Sequence, residues 1–166
     1  MSDTTDRLAL PLLAAGQAQK EMAHNEALAL LDLLVQPAVE AIGLDLPPAD
    51  PAEGACWVVG PAPVGDWADQ AGALAGWTAA GWRFVPAFDG ARVWSRQGAC
   101  DARFVDGAWR IGVVQGRALM IDGQQVVGPR GPAIADPAGG TMADAEARAA
   151  IGAILTALRA HGLVAA

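Results

Sequence analysis

The chain has 166 residues and is 53% hydrophobic, but 38 residues are alanine, so the larger hydrophobes suffice for one compact core rather than two. A net charge of −7 and a pI of about 4.6 argue against a phosphate-reading surface, which needs clustered Lys and Arg, and no nucleic-acid partner is expected. No hydrophobic run nears the roughly 20 residues that cross a bilayer, so no membrane insertion is expected either.

The N-terminus, Met1-Ser-Asp-Thr-Thr-Asp-Arg7, is acidic, and Pro11 breaks the apolar stretch behind it. That is no signal peptide, and synthesis in the cytoplasm is expected. Residues 1–46 read as an anchor segment and a helix. Over residues 17–43, Ala27, Leu28, Leu31, Leu34, Val35, Ala38, Val39 and Ile42 recur at helical spacing. Leu30 and Leu33 lie off that stripe, which makes the helix apolar on more than one face. It is therefore buried on several sides or packed against a partner, with Leu28, Leu31, Leu34, Val35 and Val39 as its anchoring face. Pro37 kinks or ends it near Gln36.

Residues 47–127 read as a small antiparallel β domain, a meander or open barrel. Its opening, Pro47-Pro-Ala-Asp-Pro-Ala-Glu-Gly54, is a loop by composition. Strands are predicted at 56–59, 82–85, 92–95, 102–105, 109–114, 118–121 and 125–127. Asp89-Gly90, Asp106-Gly107 and Asp122-Gly123 supply hairpin turns. Residues 128–140 form an extended linker without periodicity. Residues 141–166 carry the last helix, capped at Thr141 with Asp144 and Glu146 in its first turn. Ala147, Ile151, Ile154, Leu158 and His161 are spaced 4, 3, 4 and 3, a heptad seam two to three turns long. So short a helix is marginal alone in water: it either folds back on its own domain or zips with copies of itself, and the linker, which holds it away from the sheet, favours the second. The fold class is α+β.

Chemistry-bearing patterns are sparse. All six tryptophans (57, 67, 77, 82, 94, 109) fall within 53 residues, and tyrosine is absent. Most are expected in the core of the β domain, which has only three Phe to share that work. Trp67 and Trp77, near Gly-rich turns, are the candidates for stacking on a glycan. Asp66, Asp69, Asp89, Asp101 and Asp106 are scattered in turns, where Asp is at home; none forms the carboxylate pair of a glycosidase. No Ser-based elbow, phosphate loop or HExxH helix occurs. His24 and Glu21 share a helix face without a third ligand, and His161 is an ordinary helix-end histidine. Cys56 and Cys100 make neither a disulfide framework nor a zinc site. No enzymatic activity, cofactor or metal is expected.

The run Leu10-Pro-Leu-Leu-Ala-Ala-Gly-Gln-Ala-Gln-Lys-Glu-Met-Ala-His-Asn-Glu-Ala-Leu28, with Leu31-Asp32 and Val35-Gln36-Pro37, resembles an uncharacterised domain family of tail-fibre and head-spike proteins in alphaproteobacterial phages, prophages and gene transfer agents. Pro51-Ala-Glu-Gly54 and Phe104-Val-Asp-Gly-Ala-Trp109 fit the same pattern, so the likeness covers about residues 8–110. The segment Val127–Gly140, with Asp144–Ile151 and Leu158–Leu163, is similar to the ending of many such fibre proteins.

The resemblance implies a virion structural protein that supports host-cell attachment, made in the bacterial cytoplasm and assembled on a virion or gene transfer agent particle. A chain this short, without a repetitive shaft or receptor-binding tip, suits the base or adaptor of a head spike or tail fibre. The implied partners are copies of itself, as a trimer or pentamer, and a capsid vertex, tail or fibre protein. A second reading makes it a carbohydrate-binding module that contacts host surface polysaccharide through its Trp-rich domain. The two make different demands: adhesion needs at least one solvent-facing tryptophan in a groove, whereas a pure adaptor hides them all.

Overall fold

The structure, a computed structural model, describes residues 3–14, 16, 20–139 and 144–165. It comprises two units, Met1–Val113 and Val114–Ala166. The first opens with a strap, residues 3–14, fastened to helix α1 (Lys20–Leu34). The Asn25 amide holds both backbone groups of Leu13, at 2.9 and 3.0 Å. Asp32 lies seven residues further on and so on the same face of α1. Its carboxylate accepts from Thr5 Oγ1 at 2.9 Å, Arg7 N at 2.9 Å and Leu8 N at 2.7 Å. Asp32 and Thr5 are both buried. The Arg7 guanidinium donates to the carbonyls of Asp32, Val35 and Gln36, which the end of a helix leaves without partners.

Helix α1 stops at Leu34, well short of residue 43. Gln36 takes a positive φ of 45°, and Pro37 has no N–H to continue the ladder. The expected start, Gln17 to Gln19, lies outside the described residues. Beyond Pro37 the chain forms β1 (Ala38–Val39) and β2 (Ile42–Leu44). Val39 is therefore not on the helix: it is fully buried in β1. Of the other expected anchoring residues, Leu28 and Leu34 are half-buried, while Leu31 and Val35 remain exposed. The side of α1 that packs inward carries Leu33, which the apolar stripe had left out.

Six further strands complete the unit: β3 (Cys56–Val59), β4 (Leu74–Thr78), β5 (Gly81–Val85), β6 (Arg92–Ser95), β7 (Cys100–Val105) and β8 (Ala108–Ile111). They form two four-stranded sheets, in the orders β1-β6-β7-β8 and β2-β3-β4-β5. Each short strand after α1 joins a different sheet in parallel, β1 to β6 and β2 to β3; the other pairings are antiparallel. The architecture is α+β, and the described strands do not close into a barrel. β4 was not expected, because Leu-Ala-Gly-Trp-Thr offers too few large side chains to show an alternation.

One core draws on both sheets and α1: Leu33, Val39, Cys56, Val58, Leu74, Val93 and Ala102. Close approach of α1 requires glycine at position 76, where a Cβ would stand 2.7 Å from Leu33 Cδ1. The Trp109 indole N–H donates to Gly72 O at 2.9 Å, tying β8 to the turn before β4. Asp106 and Gly107 both have positive φ, as the tight β7–β8 hairpin demands.

The second unit holds the hairpin β9 (Leu119–Ile121) and β10 (Gln124–Val127), then helix α2 (Ala145–Ala160). The hairpin thus lies on the far side of the division at Val113 from the other strands of the expected 47–127 domain. Asp144 caps α2 by accepting from Ala147 N at 2.9 Å; Thr141, the expected cap, lies outside the described residues. Residues 128–139 have no regular structure and return along α2. Gly131 bridges Val164, Arg159 binds Asp136 and the Ile134 carbonyl, and Arg148 binds the Gly139 carbonyl.

Replacing Asp32 with Ala orphans three donors and is expected to lower stability by about 3 kcal/mol in urea unfolding, with faster proteolysis of the strap. Burial, and then the charges of Glu53 and Asp32, push the Asp6 carboxyl above its usual range near 3.8. The folded state therefore binds the Asp6 proton more tightly, and stability falls as pH rises through that raised value. Asp6→Asn is expected to raise the Tm at pH 7 and to leave it unchanged below about pH 3.8, as thermal melts at both pH values will show.

Candidate functional site

Strand alternation places Trp57, Ala75, Trp77, Trp82 and Phe84 on one face of the second sheet. A 3-10 turn at Gly65–Trp67 drops Trp67 onto that face. Trp67 stacks edge-on to Trp82 at 5.2 Å and lies 6.3 Å from Trp57; Trp77 meets Trp82 at 5.0 Å. Trp67 is completely buried, so it presents no face to a glycan, contrary to expectation. Its indole N–H has no acceptor among the described residues. Trp77 is only half-buried, but its ring is committed to this aromatic cluster.

The tryptophan that does face solvent is Trp94, 45% exposed on β6. It was legible in principle: in Arg-Val-Trp-Ser, burial of Val93 and Ser95 turns Arg92 and Trp94 outward. An apolar cleft of about 490 Å³ also opens beside β8, lined by Ile42, Val58, Phe104, Trp109 and Ile111 among others. Its lining residues include no titratable or hydroxyl side chain, so it has no groups for acid–base or nucleophilic work.

The other feature is in the second unit. On α2, Leu155, Arg148 and Arg159 share one side, and Leu155 is the only buried residue among the described residues 114–165. The predicted seam occupies an adjoining arc of about 80°. There Ala147, Ile151, Ile154 and His161 are exposed and Leu158 is half-buried. Around it the unit exposes Val114, Leu119, Met120, Ile121, Val126, Val127, Ile134 and Leu163 as well. Few soluble units leave so much of their apolar surface uncovered unless a partner takes it.

Cys56 is buried, and burial pushes its thiol pKa up, which leaves it unreactive. Cys100 is half-buried and also free. No group of three or more His, Cys, Asp or Glu able to hold a metal ion occurs among the described residues. No helix among them is long and apolar enough to cross a membrane.

Fold and surface together define a two-sheet α+β domain with an aromatic core, followed by a unit rich in exposed apolar side chains. A family model described as a protein of unknown function (DUF2793) matches residues 24–110, just over half the chain, and the chain belongs to that family. The match runs from within α1 into β8 and ends before α2. No curated protein matches the sequence.

The two kinds of tryptophan separate on mutation. Trp67→Ala is expected to cost about 3–5 kcal/mol in chemical denaturation, from lost burial and the cavity left behind. Trp94→Ala is expected to stay within about 0.5 kcal/mol of the wild type.

Proposed function

We propose that this protein is a structural subunit of a phage-like particle or gene transfer agent, the base or adaptor of a head spike or tail fibre, without catalytic activity. It is made in the bacterial cytoplasm and assembles on the particle, where it supports attachment to the host. The observation that carries this reading is the seam on α2: four of its five residues are exposed, in a unit with one buried side chain among those described. Such a surface suits self-association as a trimer or pentamer through Ile151, Ile154 and Leu158. The exposed Leu31 on α1 and Val35 just after its end offer a second apolar face, for a capsid vertex, tail or fibre protein. The likeness of the GQAQK…HNEAL run and of the C-terminal segment to fibre proteins supplies the setting. The acidic surface keeps an abundant subunit dispersed before assembly.

Light scattering on the intact chain is expected to give one defined homo-oligomer. The double variant Ile151→Asp, Ile154→Asp is expected to scatter as a folded monomer, a three- or fivefold fall in mass, with the helical circular dichroism of the first unit kept. A monomeric wild-type chain, or a variant of unchanged mass, removes the seam from the assembly.

A further inference from the structure

The outer face of the first sheet carries an arrangement that assembly through α2 leaves unused. Register pairs Arg92 on β6 with Arg103 on β7, and Arg103 with Arg110 on β8. Three arginines thus stand in one row across three adjacent strands, whose backbones lie about 4.8 Å apart. One row further, Trp94 lies between Ala38 on β1 and Asp101 on β7. Arg96 follows Trp94 on the same face of the chain and pairs with Glu40 at 3.2 Å. Four of the eleven basic residues of an acidic chain therefore share a sheet face with its one well-exposed tryptophan.

Like charges directly opposite each other across strands destabilise a sheet. Little within the chain relieves the row. Arg92 reaches Asp101 only at 3.7 Å, with both side chains more than half exposed, and such a contact is worth little. Arg103 and Arg110 are exposed and form no ion pair among the described residues. An anionic ligand lying across the strands would remove the repulsion.

We infer that this face binds an acidic polysaccharide, with the Arg92–Arg103–Arg110 row holding uronate carboxylates and Trp94 stacking on a sugar ring. Guanidinium forks match carboxylates in a bidentate way that lysine cannot. A uronic-acid polymer offers carboxylates along its length and an apolar C–H face on each ring, so it meets both features at once. An exposed sheet face suits a ribbon lying over it rather than a small ligand. Nucleic acid also combines anions with stacking faces, but its dense phosphates would meet a chain of net charge −7. The inference does not rest on the assembly reading.

The test uses the full chain in affinity electrophoresis and calorimetry at low salt, with polygalacturonate, neutral dextran and oligothymidylate as probes. Polygalacturonate is expected to bind, more weakly as salt rises, while dextran does not. Arg103→Gln with Arg110→Gln, and separately Trp94→Ala, are each expected to weaken binding about tenfold with the Tm nearly unchanged. Asp101→Asn, which removes the carboxylate facing the ligand, is expected to tighten it two- to threefold, a gain that misfolding cannot mimic. The inference is overturned if polygalacturonate does not bind, if the arginine and tryptophan variants bind it as the wild type does, or if oligothymidylate binds more tightly. Loss of self-association in the arginine variant, without polygalacturonate binding by the wild type, would make the face a contact between copies and overturn it too.

Discussion

The first unit depends on one carboxylate. Asp32 sits near the end of α1, buried, and its carboxylate forms no ion pair among the described residues; three donors from the strap surround it instead. A buried charge is tolerable only when its lone pairs are taken up, and here two of the donors are backbone amides that cannot swing away. Asn25, two turns earlier on the same face, repeats the device with an amide. Between them they fix the direction of the strap and cover a flank of α1. Leu33, the residue next to Asp32, then points into the core against Gly76. The helix is thus held from outside by polar contacts and from inside by apolar ones.

The composition explains how the core is filled. Alanine and glycine let the backbones of the sheets and α1 come close, while a few large indoles fill the space that remains. The aromatic cluster is therefore a structural mass, and the apolar and cationic groups left outside belong to the sheet face and to α2. Cluster and sheet face, and the cleft apart from Ile111, are carried by the segment that the family model spans. The seam on α2 lies outside it, so the exposed helix is an attribute of this chain's C-terminal unit rather than of the shared domain.

Much of the plan could be read along the chain. Strands 56–59 and 92–95 have the predicted bounds, because Cys-Trp-Val-Val and Arg-Val-Trp-Ser carry β-prone side chains between clear breakers. Ala147, Ile151, Ile154, Leu158 and His161 share one arc of α2 by their spacing alone, and four of the five are exposed. Residues 38–44 were misjudged because Ala38, Val39 and Ile42 fit a helical stripe as well as a strand; only pairing with partners distant in sequence decides between them. Trp67 looked like a turn residue free for recognition, and its burial depends on how a short turn folds over a sheet, which no local pattern records. Asn25 and Asp32 stand in the run that carries the family likeness, yet nothing local shows that their partners lie in residues 5–13.

The two-residue strand β1 has a kinetic consequence. Ala38 pairs with Trp94, 56 positions further along, whereas β2 pairs with β3 after only some 16. The sheet containing β2 closes over short sequence separations, but the other must wait for a long loop to bring in β1. During that interval the edge of β6 that will receive β1 stands unpaired, a template for the same strand of a neighbouring molecule. A protein produced in many copies would then face its greatest risk of mispairing before it is complete, and the charges of Arg92 and Arg96 along that edge act as its gatekeepers.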